Sequence, residues 1–218
     1  MEQLLLDTLR SMATSLISDT RQRLTGIVGL ERFDRGGVVV GRALTVKTRA
    51  TDNLAVYKAM IQAQPGDFLV IEAGGEGGNA IVGGLIALQL EKLGCVGVIV
   101  DGAVRDTDEL KRSETLACFA KAVSHKGPFK TGPGMVNVPV SICGQIVNPG
   151  DVVVADDDGI VTFPPEEASA VVAAVEERRR VEAGIMSEIN TAPREMTWVK
   201  RILETAGETI SDPFEKSC

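Results

Sequence analysis

Arg105 and Asp106 stand side by side at the end of an apolar run in the stretch GVIVDGAVRDTDEL, residues 97–110. The arginine offers a planar fork of N–H donors for a carboxylate, and the aspartate offers a hard oxygen ligand for Mg²⁺ or Mn²⁺. Such a pair can hold a small 2-oxo acid, with its carboxylate on the arginine and its keto oxygen beside the metal. A solvated turn, whose ion pair contributes less than about 1 kcal/mol, is the alternative interpretation.

The elements around this pair are predicted to bring it to one edge of a parallel sheet. They are a strand, a glycine loop, a helix and a second strand, over 68–72, 74–78, 79–93 and 96–101. A crossover of this length suits two parallel strands, whose carboxyl ends lie on the same edge as the start of the helix. We therefore expect Arg105 and Asp106 to face that helix start, with Glu109 as a supporting partner and Asp108 at the surface.

The glycine loop allows three interpretations. Gly75 to Ala80 (GEGGNA) fits the dinucleotide pattern G-x-G-x-x-A, and Asp101 stands where a ribose-binding acid would follow. More generally, backbone N–H groups before a helix can bind a carboxylate or phosphate, and glycines also serve in a plain tight turn. The anion site is favoured over a nucleotide site, because the further βαβ repeats of a nucleotide-binding fold are missing.

The rest of the chain is predicted to complete one α/β domain with an extension. Its predicted parts are helices in the first 24 residues, strands in 36–50, a helix at 54–63, a strand at 116–123, short strands in 136–164 and a long helix at 165–189. The tail carries the single Trp in a further amphipathic pattern. We assign residues 1–189 to the domain and residues 190–218 to a C-terminal helical extension.

Composition supports this class and argues against several partners. Hydrophobic residues make up 44% of the 218 residues but aromatic residues only 4%, so the core must come from Val, Ile, Leu and Ala, as in buried parallel strands. The net charge is −7 and no basic stripe is present, which argues against nucleic-acid binding. No apolar run approaches the ~20 residues of a membrane span. We expect neither nucleic acid nor membrane as a partner.

The cysteines and three smaller motifs are assigned no catalytic part. The four cysteines stand far apart without a CxxC pair, so we expect reduced thiols, two or three of them buried, in a cytoplasmic protein. DDDG at 156–159 lacks the later Glu of a calcium loop and is interpreted as a turn. His125 is interpreted as structural or exposed, and the charged run at 176–180 as a solvated or interface face of a helix.

Several stretches together resemble a known family. They are GRALTV, QPGDFLVIEAGG, KTGPG, VNVPV, NPGDVVVADDDGIVTFP and the long run EAGGEGGNAIVGGLIALQLEKLGCVGVIVDGAVRDTDEL. From about Ser18 to about Ile189 the chain resembles the 4-hydroxy-4-methyl-2-oxoglutarate aldolase and RraA-like family, RraA being the regulator of ribonuclease E activity. The resemblance implies an α/β, β-β-α swivelling-domain-like fold with a βαβ core and added N- and C-terminal helices. It also implies a homotrimer or homohexamer with active sites at subunit interfaces.

The resemblance also implies roles for individual residues. Arg105 would bind the pyruvyl part of a 2-oxo acid substrate, and Asp106 would ligate Mg²⁺ or Mn²⁺. Backbone amides at the helix start would bind the substrate, which places the anion site slightly downstream of the glycine loop. These amides belong to Gly83, Gly84, Leu85 and Ile86. Lys130 of KTGPG matches a lysine near the site, and Glu182 matches loosely an acidic residue from a neighbouring subunit.

Two functions are compatible with this pattern. The favoured one is a metal-dependent lyase that cleaves a C–C bond in 2-oxo acids to release pyruvate, as a class II aldolase or an oxaloacetate decarboxylase. The alternative is a regulator that binds a ribonuclease without catalysis; such members can lack the metal-binding aspartate, which this chain keeps. Many aldolases carry an acidic residue at the position of Gly84. Its absence disfavours aldol cleavage more than decarboxylation, because only the former needs a base for a hydroxyl proton.

Overall fold

The parallel strands expected around the glycine loop lie at the centre of a mixed, curled sheet. The computed structural model describes residues 3–208 and divides into two compact units, Met1–Ala173 and Ala174–Cys218. The strands, all in the first unit, are β1 Glu31–Arg32, β2 Val39–Thr48, β3 Asp67–Glu72, β4 Ala80–Val82, β5 Gly97–Val104, β6 Ala117–Val123, β7 Gly134–Val136, β8 Val140–Ile142, β9 Gln145–Val147, β10 Val152–Asp156 and β11 Gly159–Phe163. The helices are α1 Gln3–Leu9, α2 Thr14–Thr20, α3 Leu54–Gln62, α4 Gly84–Lys92, α5 Thr107–Leu110, α6 Ala168–Thr191 and α7 Thr197–Thr205.

The main sheet has a parallel centre and antiparallel edges. Its order is β1-β6-β5-β3-β2-β10-β11, with β4 beside β5 and β7 beside β2, and β8 and β9 form a separate pair. Strands β2, β3, β5 and β6 run parallel, whereas β1, β10 and β11 pair antiparallel. The βαβ core and the short strands predicted after residue 136 are therefore confirmed, as is the α/β class.

The sheet is covered on both faces, which explains the continuous apolar runs of its central strands. Every residue of β5 is buried. One face carries Val56, Leu69, Leu90 and Val100 among its core residues, and the other carries Phe68 and Ile99 among its own. Because β5 is fixed on both faces, the residues that follow Val104 leave the sheet from a rigid support.

The helix predicted at 79–93 begins five residues later than expected. Ala80–Val82 forms β4, which pairs with the end of β5, and α4 starts only at Gly84. The β-branched Ile81 and Val82 are buried against β5, so pairing with the sheet wins over helix formation. The loop at 74–78 thus precedes a strand, so the helix start on which the predictions of a dinucleotide site and of an anion site there rested lies at Gly84 instead.

The structure also places the cysteines, His125 and the DDDG segment, to which the sequence assigns no catalytic part. Cys95 and Cys118 are buried free thiols and Cys143 is exposed, while Cys218 lies outside the described residues. His125 is exposed, and the DDDG segment forms the turn between β10 and β11. Asp156 is nevertheless buried, where its carboxylate accepts hydrogen bonds from the backbone and hydroxyl of Thr14.

The second unit, Ala174–Cys218, contains most of α6 and the whole of α7, and α7 is the helix that the amphipathic pattern of the tail predicts. The charged run at 176–180 is half-exposed or exposed and forms ion pairs within the helix, Arg179 with Glu176 and Arg180 with Glu177. This agrees with the solvated face expected for it. Over the residues described, no helix is both long and apolar enough to cross a membrane.

Candidate active site

Arg105 and Asp106 form the turn between β5 and the short helix α5. Asp106 adopts a left-handed backbone conformation, with φ 57° and ψ 44°, which costs a non-glycine residue about 1 kcal/mol and is tolerated best by Asn and Asp. This turn directs its carboxylate back to α4, where Oδ2 accepts a hydrogen bond of 3.0 Å from the Gly84 N–H. Arg105 Nε lies 3.5 Å from the same oxygen. The structure thus brings the pair to the helix start, as the sheet edge predicts.

Glycine is required at position 83 because the Arg105–Asp106 pair passes directly over it. A Cβ on Gly83 would lie 2.6 Å from Asp106 Oδ2 and 2.9 Å from Arg105 Cγ. A Cβ on Gly127 would lie 2.9 Å from Arg105 Nη1. The guanidinium therefore lies close to the backbone of two glycines, while the Arg105 side chain stays 40% exposed.

Glu109 fills the space that a side chain at position 84 would take. A Cβ on Gly84 would lie 1.6 Å from Glu109 Oε2 and 2.8 Å from Glu109 Cδ. The carboxylate missing from position 84 is thus supplied at the same place by a residue 25 positions later in the chain. The glycine and Glu109 are complementary, because no larger residue fits at position 84 while Glu109 keeps this conformation.

The backbone amides at the start of α4 are not equally available. Gly84 N–H donates to Asp106, and Ile86 N–H donates to the Gly83 carbonyl at 3.1 Å. The N–H groups of Gly83 and Leu85 have no acceptor within the described part of the chain. Since the N-terminal end of a helix carries a partial positive charge, these two amides are left to meet an anion.

Lys130 reaches the same region on a loop that a buried aspartate holds in place. Asp52 accepts hydrogen bonds from the backbone N–H groups of Leu54, Thr131 and Gly132, at 2.9, 2.7 and 2.9 Å, and from the Thr131 hydroxyl. Burial by itself raises the pKa of Asp52, but these donors outweigh it and hold the pKa below its usual value. The charged carboxylate therefore ties the start of α3 to the loop that carries Lys130.

Asn53 is a residue that the sequence analysis missed. An Asn directly before a helix is expected to cap it, yet Asn53 makes no side-chain cap, while Asp52 Oδ1 accepts the N–H of Leu54, the first helical residue. Asn53 Nδ2 donates to the Ile81 carbonyl at 3.0 Å, and Asn53 Oδ1 is buried without a hydrogen-bond partner among the described residues. The only sequence signal was that two adjacent candidate caps, Asp52 and Asn53, precede one helix.

Two spaces flank the start of α4. A cavity of about 60 Å³ lies on one side, and its lining includes Asn53, Tyr57, Gly83, Arg105 and Lys130. An open groove of about 610 Å³ lies on the other side, and its lining includes Gly84, Leu88, Glu109 and Arg112. Leu85 borders both spaces. The predicted site residues of the first unit therefore surround a single helix start.

The donor set fits a hydrated divalent cation. Mg²⁺ binds proteins through one or two carboxylates and keeps several waters. The carboxylates of Asp106 and Glu109 lie against the consecutive glycines 83 and 84 and supply such oxygens. Residues 3–208 contain no cluster of three or more His, Cys, Asp or Glu side chains suited to a metal. A magnesium or manganese ion here would complete its shell with water and substrate.

Two other acidic residues from the sequence analysis lie elsewhere. Glu182 belongs to the second unit, where it pairs with Arg178 at 3.5 Å, and its contribution from a neighbouring subunit stays a prediction. Asp101 is buried near the end of β5, and its carboxylate lies 3.8 Å from Lys121 Nζ and 3.9 Å from Cys143 Sγ. The Asp101 carboxylate therefore lies with Lys121 and Cys143 and has no printed contact with Arg105.

The fold and this site define a mixed α/β protein that carries acidic and basic side chains at the carboxyl end of a parallel sheet. Residues 14–162 match the family model for RraA-like proteins, described as Aldolase/RraA. This match covers well over half of the 218 residues. The chain belongs to the RraA-like family, and the fold expected from the resemblance is confirmed.

Individual relatives carry two kinds of name. A protein of Halalkalibacterium halodurans, provisionally named 4-hydroxy-4-methyl-2-oxoglutarate aldolase, is 38% identical over 148 residues, which span 67% of this chain and 70% of that protein. A solved structure of the RNA-processing inhibitor RraA from Thermus thermophilis is 32% identical, with a TM-score of 0.65 over 70% of this chain and 93% of that one. An uncharacterized protein from Pseudomonas syringae pv. tomato str. DC3000 is 25% identical, with a TM-score of 0.79 over 88% and 91% of the two chains. The relatives support an aldolase family and also fit a regulator.

Proposed function

We propose that this protein is a divalent-metal-dependent lyase that releases pyruvate from 2-oxo acids. The observation that carries the proposal is the Arg105–Asp106 pair fixed on the start of α4, with the Glu109 carboxylate at the place of a side chain on Gly84. A guanidinium, a helix-start amide and two carboxylates are the groups that such a reaction needs. The aldolase names among the relatives support the same class.

Arg105 and the Leu85 amide hold the substrate carboxylate in this proposal. The guanidinium offers two parallel N–H donors, and the amide adds a third donor beside the positive end of the helix. Lys130 borders the same small cavity and adds a second positive charge. Side chains at positions 83 and 127 would crowd the guanidinium, so glycine at both positions leaves room for it beside the cavity.

Asp106 and Glu109 divide the remaining work. Asp106 holds Mg²⁺ or Mn²⁺, which would polarise the keto group and stabilise the enolate left after C–C cleavage. Glu109 takes the proton from the substrate hydroxyl as general base in aldol cleavage. Gly84 alone disfavoured aldol cleavage, and the position of Glu109 removes that objection. The proposal therefore includes both 4-hydroxy-4-methyl-2-oxoglutarate-type aldolase and oxaloacetate decarboxylase activity.

A coupled assay tests this function. Purified protein with Mg²⁺ or Mn²⁺ is supplied with oxaloacetate or 4-hydroxy-4-methyl-2-oxoglutarate, and lactate dehydrogenase reports pyruvate through NADH consumption. We expect turnover that a chelator abolishes and that Asp106→Ala lacks. Asp108→Asn is the matched control, since Asp108 is an exposed carboxylate of the same turn. Turnover no faster than the reaction without protein, or full activity of Asp106→Ala, contradicts the proposal.

A ribonuclease regulator is the second candidate, and the 32% identity to the RNA-processing inhibitor RraA favours it. In this case the acidic chain binds an RNA-processing enzyme and inhibits it without turnover of its own. An RNA-cleavage assay with a purified ribonuclease E-type enzyme tests this function. Inhibition that persists in Asp106→Ala, together with no pyruvate release by the wild type, would select this candidate over the lyase.

We also propose a homotrimer or homohexamer and a cytoplasmic location. Leu85 and Leu88 on α4 are 83% and 51% exposed beside the open groove, and burial of such side chains against a second copy would stabilise an assembly. The buried free thiols Cys95 and Cys118 support a reducing compartment. Light scattering on the purified protein measures the assembly, and a monomeric mass contradicts it.

A further inference from the structure

We infer that the C-terminal helices of one copy of this chain bind the open groove beside α4 of a second copy, in a head-to-tail contact. The inference rests on the assembly proposed above and names the two surfaces that meet in it, and it does not depend on the lyase activity. The family match ends at residue 162, so α6 and α7 lie beyond the matched residues. The contact gives this part of the chain a role.

The first surface is a trough between α6 and α7, within the second unit. Its volume is about 570 Å³, and its apolar lining includes Val181, Ile185, Trp198 and Ile202. Val181 is 48% and Ile202 59% exposed, and no residue of α7 is buried. An amphipathic helix normally buries its apolar face, so this trough, called here the α6–α7 trough, is suited to receive a partner.

The α6–α7 trough and the open groove carry opposite sets of charges. Three arginines and one glutamate line the trough, namely Arg178, Arg180, Arg201 and Glu188. Three glutamates and one arginine line the groove, namely Glu91, Glu109, Glu114 and Arg112. Opposite potentials on two surfaces speed their encounter and fix the register in which they meet. The groove of a second copy is therefore the partner that the trough fits.

Each surface presents a charge without an opposite charge beside it. Arg201 forms no ion pair within the described residues, whereas Arg178 and Arg180 each pair with a glutamate along α6. Glu91 accepts hydrogen bonds from two hydroxyl groups, but over residues 3–208 no lysine or arginine pairs with it. A pair between Arg201 of one copy and Glu91 of the next would neutralise both charges.

A symmetric contact between two troughs is disfavoured by the same charges. A two-fold axis would place the three arginines of one trough against the same three of the other, and like charges brought together across an interface are unfavourable. A head-to-tail contact places them against glutamates instead. Contacts of this kind close into a ring when the rotation between copies permits it, which agrees with the proposed trimer.

The contact lies at the end of the groove that is distant from the proposed lyase site. Glu91 follows Gly84 by seven residues in α4, which places it about 10 Å further along the helix. Leu88, which is 51% exposed, lies three residues before Glu91 and therefore on the same face of α4. Glu109 stays accessible, so changes at Leu88 and Arg201 leave the proposed catalytic residues intact.

The test measures the mass of the full-length protein by light scattering over a dilution series. Arg201→Glu reverses a charge of the trough, and Leu88→Glu places a charge on the apolar face of the groove. Both side chains are exposed, so both variants should keep the helix content and melting temperature of wild type. We expect each variant to raise the dissociation constant of the assembly at least about 10-fold. Lys200→Glu is the matched control, because it makes the same change of charge on α7 outside the trough, and it should assemble like wild type.

A mixture of the two variants tests the head-to-tail geometry. Each Arg201→Glu copy keeps an intact groove, and each Leu88→Glu copy keeps an intact trough. One copy of each can therefore form a single complete contact, but the pair cannot continue into a ring. At a concentration at which each variant alone is monomeric, the equal mixture should contain dimers.

Four results overturn the inference. They are a monomeric wild type, an assembly that Arg201→Glu leaves unchanged, an equal loss of assembly in Lys200→Glu, and a mixture of the two variants without dimers. Pyruvate release with metal is measured on the same samples. An assembled wild type that releases no pyruvate contradicts the proposed lyase alone, so the two failures are distinguished.

Discussion

The two sides of the α4 start differ in construction and in the work that they suit. On the cavity side, Asn53 is buried and Asp52 ties the Lys130 loop to α3 by four hydrogen bonds. On the groove side, Glu109 is exposed on a single-turn helix and Leu85 projects into solvent. The proposed substrate recognition needs a rigid wall, whereas the proposed proton transfer and product release need access to solvent. The start of α4 lies between the cavity and the groove.

The largest effect is expected from a change at Asp106, whose carboxylate contacts the start of α4 between the cavity and the groove. Asp106→Asn keeps an acceptor for the Gly84 N–H and tolerates the left-handed backbone, but it loses the charge that would hold the proposed cation. Pyruvate release should fall about 100-fold or more, with little change in melting temperature. Coupled kinetics and thermal unfolding measure the two effects. Activity near that of wild type would show that Asp106 holds no metal.

The next variant tests the groove side alone. Glu109→Gln keeps the shape over Gly84 but removes the base, so kcat for a 4-hydroxy-2-oxo acid should fall about 100-fold, while oxaloacetate decarboxylation changes only a few-fold. Placing Asp at position 84 in a Glu109→Ala background returns a carboxylate to nearly the same place and should restore part of the loss. If Glu109→Gln lowers kcat equally for both substrates, Glu109 is not the base that takes the hydroxyl proton.

On the cavity side, a change at Asp52 is expected to lower the free energy of unfolding. Asp52→Asn exchanges a charged acceptor of five hydrogen bonds, one of them from Arg49, for an amide and should cost about 2–3 kcal/mol of unfolding free energy. The pKa of Asp52 is lowered in the folded state, so its contribution is complete above the ordinary aspartate pKa of about 3.9 and is lost as pH falls through the folded value. Urea unfolding at pH 7 and at pH 3 should show a smaller difference between variant and wild type at pH 3. An equal difference at both values contradicts the role of the charge.

The smallest effect is expected from a side chain added beside the Arg105 guanidinium. Gly127→Ala introduces a Cβ at 2.9 Å from Arg105 Nη1, which is the mobile end of a long side chain and can move away. The melting temperature should stay unchanged, while KM for a 2-oxo acid rises about 3- to 10-fold because the guanidinium leaves its place. Gly78→Ala is the matched control, since no atom lies within 4 Å of its added Cβ. An unchanged KM in Gly127→Ala would show that Arg105 is free to reorient.

The sequence predicts the parts of the site that depend on neighbouring residues, and it misses those that depend on contacts between residues far apart in the chain. Arg105 and Asp106 come directly after a buried strand, so local pattern and sheet geometry are enough to place them. The start of α4 was misplaced because Ala80–Val82 is apolar and fits a helix as well as a strand until β5 is present as its partner. The contact of Glu109 with Gly84 and that of Asn53 with Ile81 join residues 25 and 28 positions apart. No local pattern reveals such contacts.

The left-handed turn at Asp106 also bears on how proteins with this fold diverge. Asn and Gly accept the same backbone conformation, and Asn retains an acceptor for the Gly84 amide. One base change in an Asp codon gives an Asn codon, so the proposed metal ligand can be lost in a single step while the fold is kept. The proposed chemistry and the architecture are thus separable at this position. A surface that evolved around a substrate would then be free to acquire a protein partner.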